Sequence, residues 1–60
     1  MNKKNVWSEM YKSFQSLYPK LTKKAIGYRP YGYMSILVYF SDGLRMVYNE
    51  VDRRAKFVST

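Results

Sequence analysis

The stretch from Tyr33 to Asn49 constrains the fold more than any other part of the chain: it reads YMSILVYF, then SDG, then LRMVYN. Two runs rich in β-branched and aromatic residues flank an Asp-Gly pair, which is a strong short-range hairpin signal. Two loops compete for this turn. Asp42-Gly43 can form the centre of a type I′ turn, or Ser41-Asp42-Gly43 can form a three-residue loop with Gly43 left-handed in a G1 bulge. Residues paired directly across an antiparallel ladder share a face, so the loop length sorts every side chain. The two-residue loop pairs Phe40 with Arg45 and Ile36 with Asn49, mixing charge and amide into the best core residues. The three-residue loop pairs Phe40 with Leu44, Val38 with Met46 and Ile36 with Tyr48. It gathers Met34, Ile36, Val38, Phe40, Leu44, Met46 and Tyr48 on one face. The other face carries Tyr33, Ser35, Leu37, Tyr39, Arg45, Val47 and Asn49. This second register is the expected one.

Upstream, Val6, Trp7, Met10, Tyr11, Phe14, Leu17, Tyr18 and Leu21 recur at three-and-four spacing, the signature of an amphipathic helix. From Val6 to Tyr18 they fall within an arc of roughly 140° on a helical wheel, with Glu9, Lys12 and Ser16 opposite. Asn5 or Ser8 is a candidate N-cap. Pro19 disfavours helical geometry at Tyr18, so the helix is expected over 6–18, with a final turn possible after it. Trp7, Met10, Phe14 and Leu17 are the residues expected to meet the apolar face of the hairpin. Residues 1–5 are polar and basic and are expected to fray.

Thr22 to Lys24 reads as a basic connector and AIGYR, residues 25–29, as a short first strand with Ile26 and Tyr28 inward. Arg29-Pro30-Tyr31-Gly32 has the proline and glycine positions of a type I turn. After Glu50 the chain is expected to turn and form a short edge segment, Ala55 to Val58, with Phe57 inward. The predicted fold class is α+β: one N-terminal amphipathic helix packed on one face of a three- to four-stranded antiparallel meander spanning 25–58. It forms a single small domain over 1–60. No internal repeat or low-complexity tract interrupts it.

Sixty residues support only a thin core, since a chain of this size buries about 60% of its unfolded surface. Oligomerisation or partner binding would add to it. With no cysteine and no histidine, the usual proton shuttle, thiol nucleophile and transition-metal ligands are missing. Four carboxylates remain, at Glu9, Asp42, Glu50 and Asp52. Only Glu50 and Asp52 lie close together, and they supply few of the six or more oxygens that calcium prefers. The glycines match neither the dinucleotide nor the Walker spacing. No catalytic residue, metal site, cofactor or small-molecule substrate is expected, and the chain reads as non-enzymatic. Cysteine-free composition fits a reducing cytoplasm. The N-terminus, MNKKNVWSEMYKS, has lysines but no apolar run after them, and the longest uncharged stretch, Pro30 to Ser41, falls short of the about 20 residues that span a membrane, so neither secretion nor membrane spanning is expected.

Eleven Lys and Arg against four acids give a net charge of +7. Such an excess attracts nucleic acid or an acidic protein, or simply keeps the domain soluble. Tyr28-Arg29-Pro30-Tyr31-Gly32-Tyr33 interleaves aromatics with arginine, a composition suited to stacking on exposed bases, although tyrosine is also an ordinary strand residue. On the uncovered face of the sheet, Tyr33, Leu37, Tyr39, Arg45 and Val47 form a candidate interaction surface, weighed against an ordinary solvated face. Arg53, Arg54 and Lys56 add a second basic group, as do Lys20, Lys23 and Lys24 near the helix end, where lysines also complement the helix dipole. The candidate partner-binding residues are therefore Arg29, Tyr31, Tyr33, Leu37, Tyr39, Arg45, Val47, Arg53, Arg54 and Lys56. Nucleic acid is the expected partner. The alternative is a protein, bound through the same face or as a homodimer.

The order of a helix followed by three strands resembles the first part of double-stranded-RNA-binding domains. Those close with a second basic helix, which the residues after Arg54 are too few to supply, so their function is not carried over. The segment Tyr31 to Tyr48, with SILVYF, DG and VY in that order, resembles short orphan proteins of phages and prophages of low-GC Gram-positive bacteria. That resemblance implies a mobile-element origin and names no activity; an inhibitor of a host or defence protein is one form of the alternative protein-binding reading.

Overall fold

A computed structural model describes residues 6–58. An N-terminal helix packs on one face of a four-stranded antiparallel sheet, and the strands follow one another in the order β1-β2-β3-β4. Helix α1 runs Val6–Leu17 and a four-residue turn of helix, α2, runs Pro19–Thr22. The strands are β1 Ala25–Gly32, β2 Ser35–Phe40, β3 Arg45–Asn49 and β4 Arg54–Phe57. The expected α+β meander is the fold, with its fourth strand formed. The expected fraying of 1–5 and the Asn5 cap lie outside the described residues.

The β2–β3 hairpin has the three-residue loop. Val38 pairs with Met46, Ile36 with Tyr48, and Tyr39 with Arg45. Gly43 N–H donates to the Phe40 carbonyl at 3.0 Å, and Phe40 N–H donates to the Leu44 carbonyl at 3.0 Å. Gly43 sits at φ 91°, the left-handed conformation that glycine adopts without the Cβ penalty. The Asp42 carboxylate accepts from Leu44 N–H at 3.2 Å, a local side-chain turn of the kind that favours aspartate here.

One face of the hairpin forms the core with the helix. Met10, Phe14, Ile36, Val38, Phe40, Met46 and Tyr48 are buried together. Phe14 is fully enclosed within an aromatic cluster: its ring centroid lies 5.5 Å from Tyr18, 5.9 Å from Tyr48, 6.2 Å from Tyr11 and 6.5 Å from Phe40. Tyr11 in turn stacks on Tyr28 at 4.4 Å, which fastens the helix to β1. Burial, and secondarily Tyr28, raises the pKa of the Tyr11 phenol. Tyr48, the largest fully buried side chain, donates its hydroxyl to Glu50 Oε1 at 2.9 Å.

Several expectations are corrected. Leu17 is 43% exposed and Leu44 is 51% exposed, so neither is core. The buried arc of α1 centres on Phe14 and runs toward Trp7 and Tyr11, because the helix lies over β1 and β2. That leaves Leu17, and Val6 with it, at the margin. Leu44 follows the bulge at the end of the sheet, beyond the helix. Ile26 does not point inward: the register slips between Ala25 and Gly27, so Ala25 and Tyr28 take the inner positions against Phe40 and Val38. Ile26 is the extra residue of that bulge and is exposed. Arg29 to Gly32 is strand, not turn, and the reversal falls at Tyr33-Met34, with Met34 at φ 51°. Pro30 is accommodated because β1 is an edge strand, where a missing N–H is tolerated. Phe57 does take the inner side, opposite Met46 and 6.1 Å from the Phe40 ring, yet stays half exposed.

Candidate nucleic-acid interface

The strand registers decide which candidate residues come together on the face opposite the helix. One row runs across all four strands: Arg29 pairs with Leu37, Leu37 with Val47, and Val47 with Lys56. To one side of it, Gly27 pairs with Tyr39 and Tyr39 with Arg45. To the other, Ser35 pairs with Asn49 and Asn49 with Arg54. Arg29, Leu37, Tyr39, Arg45, Val47, Arg54 and Lys56 therefore share one surface. With strands about 4.8 Å apart, Arg29 and Lys56 stand about 14 Å from each other.

The surface has an uneven build. Leu37 at its centre is only 9% exposed, because it is flanked along its strand by Ser35 and Tyr39 and across the ladders by Arg29 and Val47. Val47, Tyr39 and Arg45 are half-buried, whereas Arg29, Arg54 and Lys56 are exposed. The long cationic side chains lie at the flanks, where their stems cover apolar surface and their heads reach water. The apolar patch anticipated from Leu37 and Val47 is thus mostly closed over, and what the face presents is cation and phenol. Arg29 Nη1 donates to the Tyr39 hydroxyl at 3.1 Å, tying the phenol tip to the edge strand. Gly27, directly across from Tyr39, has open space where a Cβ would stand.

No carboxylate lies among the strand residues of this face. Glu9 is on the helix, 3.9 Å from Lys12; Asp42 closes the hairpin loop; Glu50 accepts from Tyr48. Asp52 alone borders the face, in the β3–β4 turn, where it shares a shallow depression with Val47, Asn49, Arg54 and Lys56. The groups with perturbed titration, Tyr11 and Tyr48, belong to the helix-side layer. Among the described residues no group of three or more His, Cys, Asp or Glu side chains is placed to hold a metal ion, and no helix is long and apolar enough to cross a membrane.

Three candidate residues stand elsewhere. Tyr33 is in the β1–β2 turn and 85% exposed. Tyr31 falls at the second register shift of β1, also exposed. Arg53 takes φ 57° in the β3–β4 turn, and that backbone setting sends its side chain to the helix side, into a groove with Glu9, Lys12, Ser13, Ser16 and Leu17. Two residues that shape the face were not singled out from sequence. Gly27 leaves the gap beside Tyr39. Asn49 donates to Ser35 Oγ at 2.8 Å and accepts from Asp52 N–H at 3.0 Å, so it sets the turn that delivers Arg54. The Ser35–Asn49 pairing was implicit in the three-residue loop, and it was the available signal. Comparison with protein-family models, with curated proteins and with solved structures finds no match to this chain.

Proposed function

We propose that this protein is a small non-enzymatic module, acting in the cytoplasm, that binds nucleic acid through the sheet face opposite the helix. The observation that carries the reading is the gathering of Arg29, Arg45, Arg54 and Lys56 around the central Leu37 and Val47, with Tyr39 beside them, on one surface whose strands hold no carboxylate. Four cations held at fixed spacing on a sheet attract a polyanion by releasing its condensed counterions, and the phenol and Val47 supply a non-ionic contact between them. The runner-up is a protein partner on the same face, including a second copy of the chain. The burial of Leu37 weighs against it, because protein interfaces draw on an exposed apolar centre that this face lacks.

Fluorescence anisotropy with a labelled nucleic acid tests the reading. With up to four phosphate contacts, affinity is expected to fall on the order of a hundredfold between about 50 and 200 mM salt. Arg45→Glu combined with Lys56→Glu is expected to abolish binding at the higher salt while leaving the fold intact, since both side chains reach the surface. Binding that ignores salt, or that survives the double charge reversal, sinks the proposal. So does affinity capture that returns one defined protein and no nucleic acid.

A further inference from the structure

We infer that the nucleic acid this face takes is a single strand, laid with its bases over Tyr39 and Val47 and its phosphates along Arg45, Lys56 and Arg54. The inference rests on the nucleic-acid reading above and narrows it. The cations are not scattered evenly. Three of the four, Arg45, Lys56 and Arg54, follow one another along the β3–β4 side of the face, while Tyr39, the gap at Gly27 and the fourth cation, Arg29, lie on the β1–β2 side. Neighbours in that cationic row are about 7 to 8 Å apart at Cα, from the strand spacing and the rise per residue. The face is therefore two-sided, with a row of three cations along one margin and the aromatic ring, held by a single arginine, along the other.

A single strand has the same two sides. Its phosphates form one edge and its unpaired bases expose flat π-faces along the other. A duplex does not match. It turns only phosphate and sugar toward a flat surface, and its base edges are reached by an element that projects into a groove. Among the described residues this face is built of strands, since α1 lies on the opposite layer. Two local features suit a base instead. The Arg29 hydrogen bond at 3.1 Å restrains the phenol, and the missing side chain at Gly27 leaves room beside the ring. A guanidinium with five donors retains others for a phosphate or a base edge after serving Tyr39. The cationic row, about 14 Å from Arg45 to Arg54 by the same spacings, belongs at the short end of single-strand site sizes, about four nucleotides.

Anisotropy with labelled oligo(dT), oligo(U) and a mixed duplex, each about 12 nucleotides long, tests this. Tight binding of either single strand is expected, with the duplex at least about tenfold weaker. Tyr39→Ala is expected to lose about tenfold on the single strand, and Tyr39→Phe, which keeps the ring, to stay within about twofold of the parent. Circular dichroism of both variants establishes that the fold is retained. A duplex bound as tightly as the single strands, or a folded Tyr39→Ala variant with unchanged affinity, overturns the single-strand inference and leaves the nucleic-acid reading standing. No binding of any of the three probes at low salt overturns that reading itself.

Discussion

Replacing Tyr48 with phenylalanine gives a stability change whose sign reverses with pH. Tyr48 is fully buried, and its hydroxyl donates to Glu50 at 2.9 Å. Burial, followed by the Glu50 hydrogen bond and charge, pushes its pKa up from 10.0 to about 12. Near neutral pH, Tyr48→Phe removes one hydrogen bond to a carboxylate that can rehydrate, a loss of about 1 kcal/mol. That matters in a domain whose total stability is on the order of 3 to 9 kcal/mol at 0.05 to 0.15 kcal/mol per residue. In alkali the balance changes. A folded pKa above the unfolded one means that the contribution is complete below about pH 10 and is lost as pH rises through about 12. With those two values, ionisation favours the unfolded parent chain by about 1.4 kcal/mol near pH 11 and about 2.3 kcal/mol near pH 12. Water at the half-buried Glu50 screens the pair, so these are upper values. The phenylalanine variant cannot ionise there. It should be the less stable protein at about pH 8 and the more stable one above about pH 11, while both share every other titration. Urea unfolding followed by circular dichroism, at steps from about pH 8 to 11.5, measures this directly. Stability curves that stay parallel over that range would refute a buried Tyr48 phenol paired with Glu50.

Three further perturbations follow from particular residues. Phe14→Ala empties the centre of the aromatic cluster and is expected to cost about 3 to 5 kcal/mol, enough to leave the chain largely unfolded by circular dichroism at 25 °C; Gln15→Ala beside it should be nearly silent. Gly43→Ala forces an alanine into φ 91° in otherwise open space, so its cost of about 1 kcal/mol is purely conformational, and Gly43→Asn should cost less in the same urea titration. Arg53→Gly relieves a left-handed arginine at φ 57° and should leave stability unchanged or raise it by up to about 1 kcal/mol. Its nucleic-acid affinity should also stay near that of the parent, whereas Arg54→Ala weakens binding.

The hairpin was legible because local chemistry and the hydrophobic pattern agree there. Asp42 and Gly43 demand a particular loop, and only one loop length puts Ile36, Val38, Phe40, Met46 and Tyr48 on one side. The helix was legible for the same reason, with Pro19 marking its end. Leu17 and Leu44 were misplaced because their burial depends on how far the helix reaches over the sheet, which no local pattern encodes. Arg29-Pro30-Tyr31-Gly32 has every local mark of a turn. Pairing of Pro30 with Ile36 on an edge strand overrode it, and the reversal moved to Tyr33-Met34. That displacement removed Tyr33 from the candidate surface and added Arg29 to the row with Leu37. Arg54 and Lys56 were named from charge alone; the β3–β4 register brought them to the face and separated them from Arg53. What the alternation of the hairpin could not disclose is that Leu37 would be closed over by its neighbours, which changes the surface from an apolar patch to a cationic one.

The most direct measurement of the central claim is amide chemical-shift mapping by NMR during titration with a short oligo(dT). Shifts concentrated at Arg29, Tyr39, Arg45, Val47, Arg54 and Lys56, with Glu9, Lys12, Ser16 and Lys20 on the helix side unmoved, are the predicted result. Shifts that map to the helix side, or a spectrum unchanged by excess oligonucleotide at low salt, would contradict it.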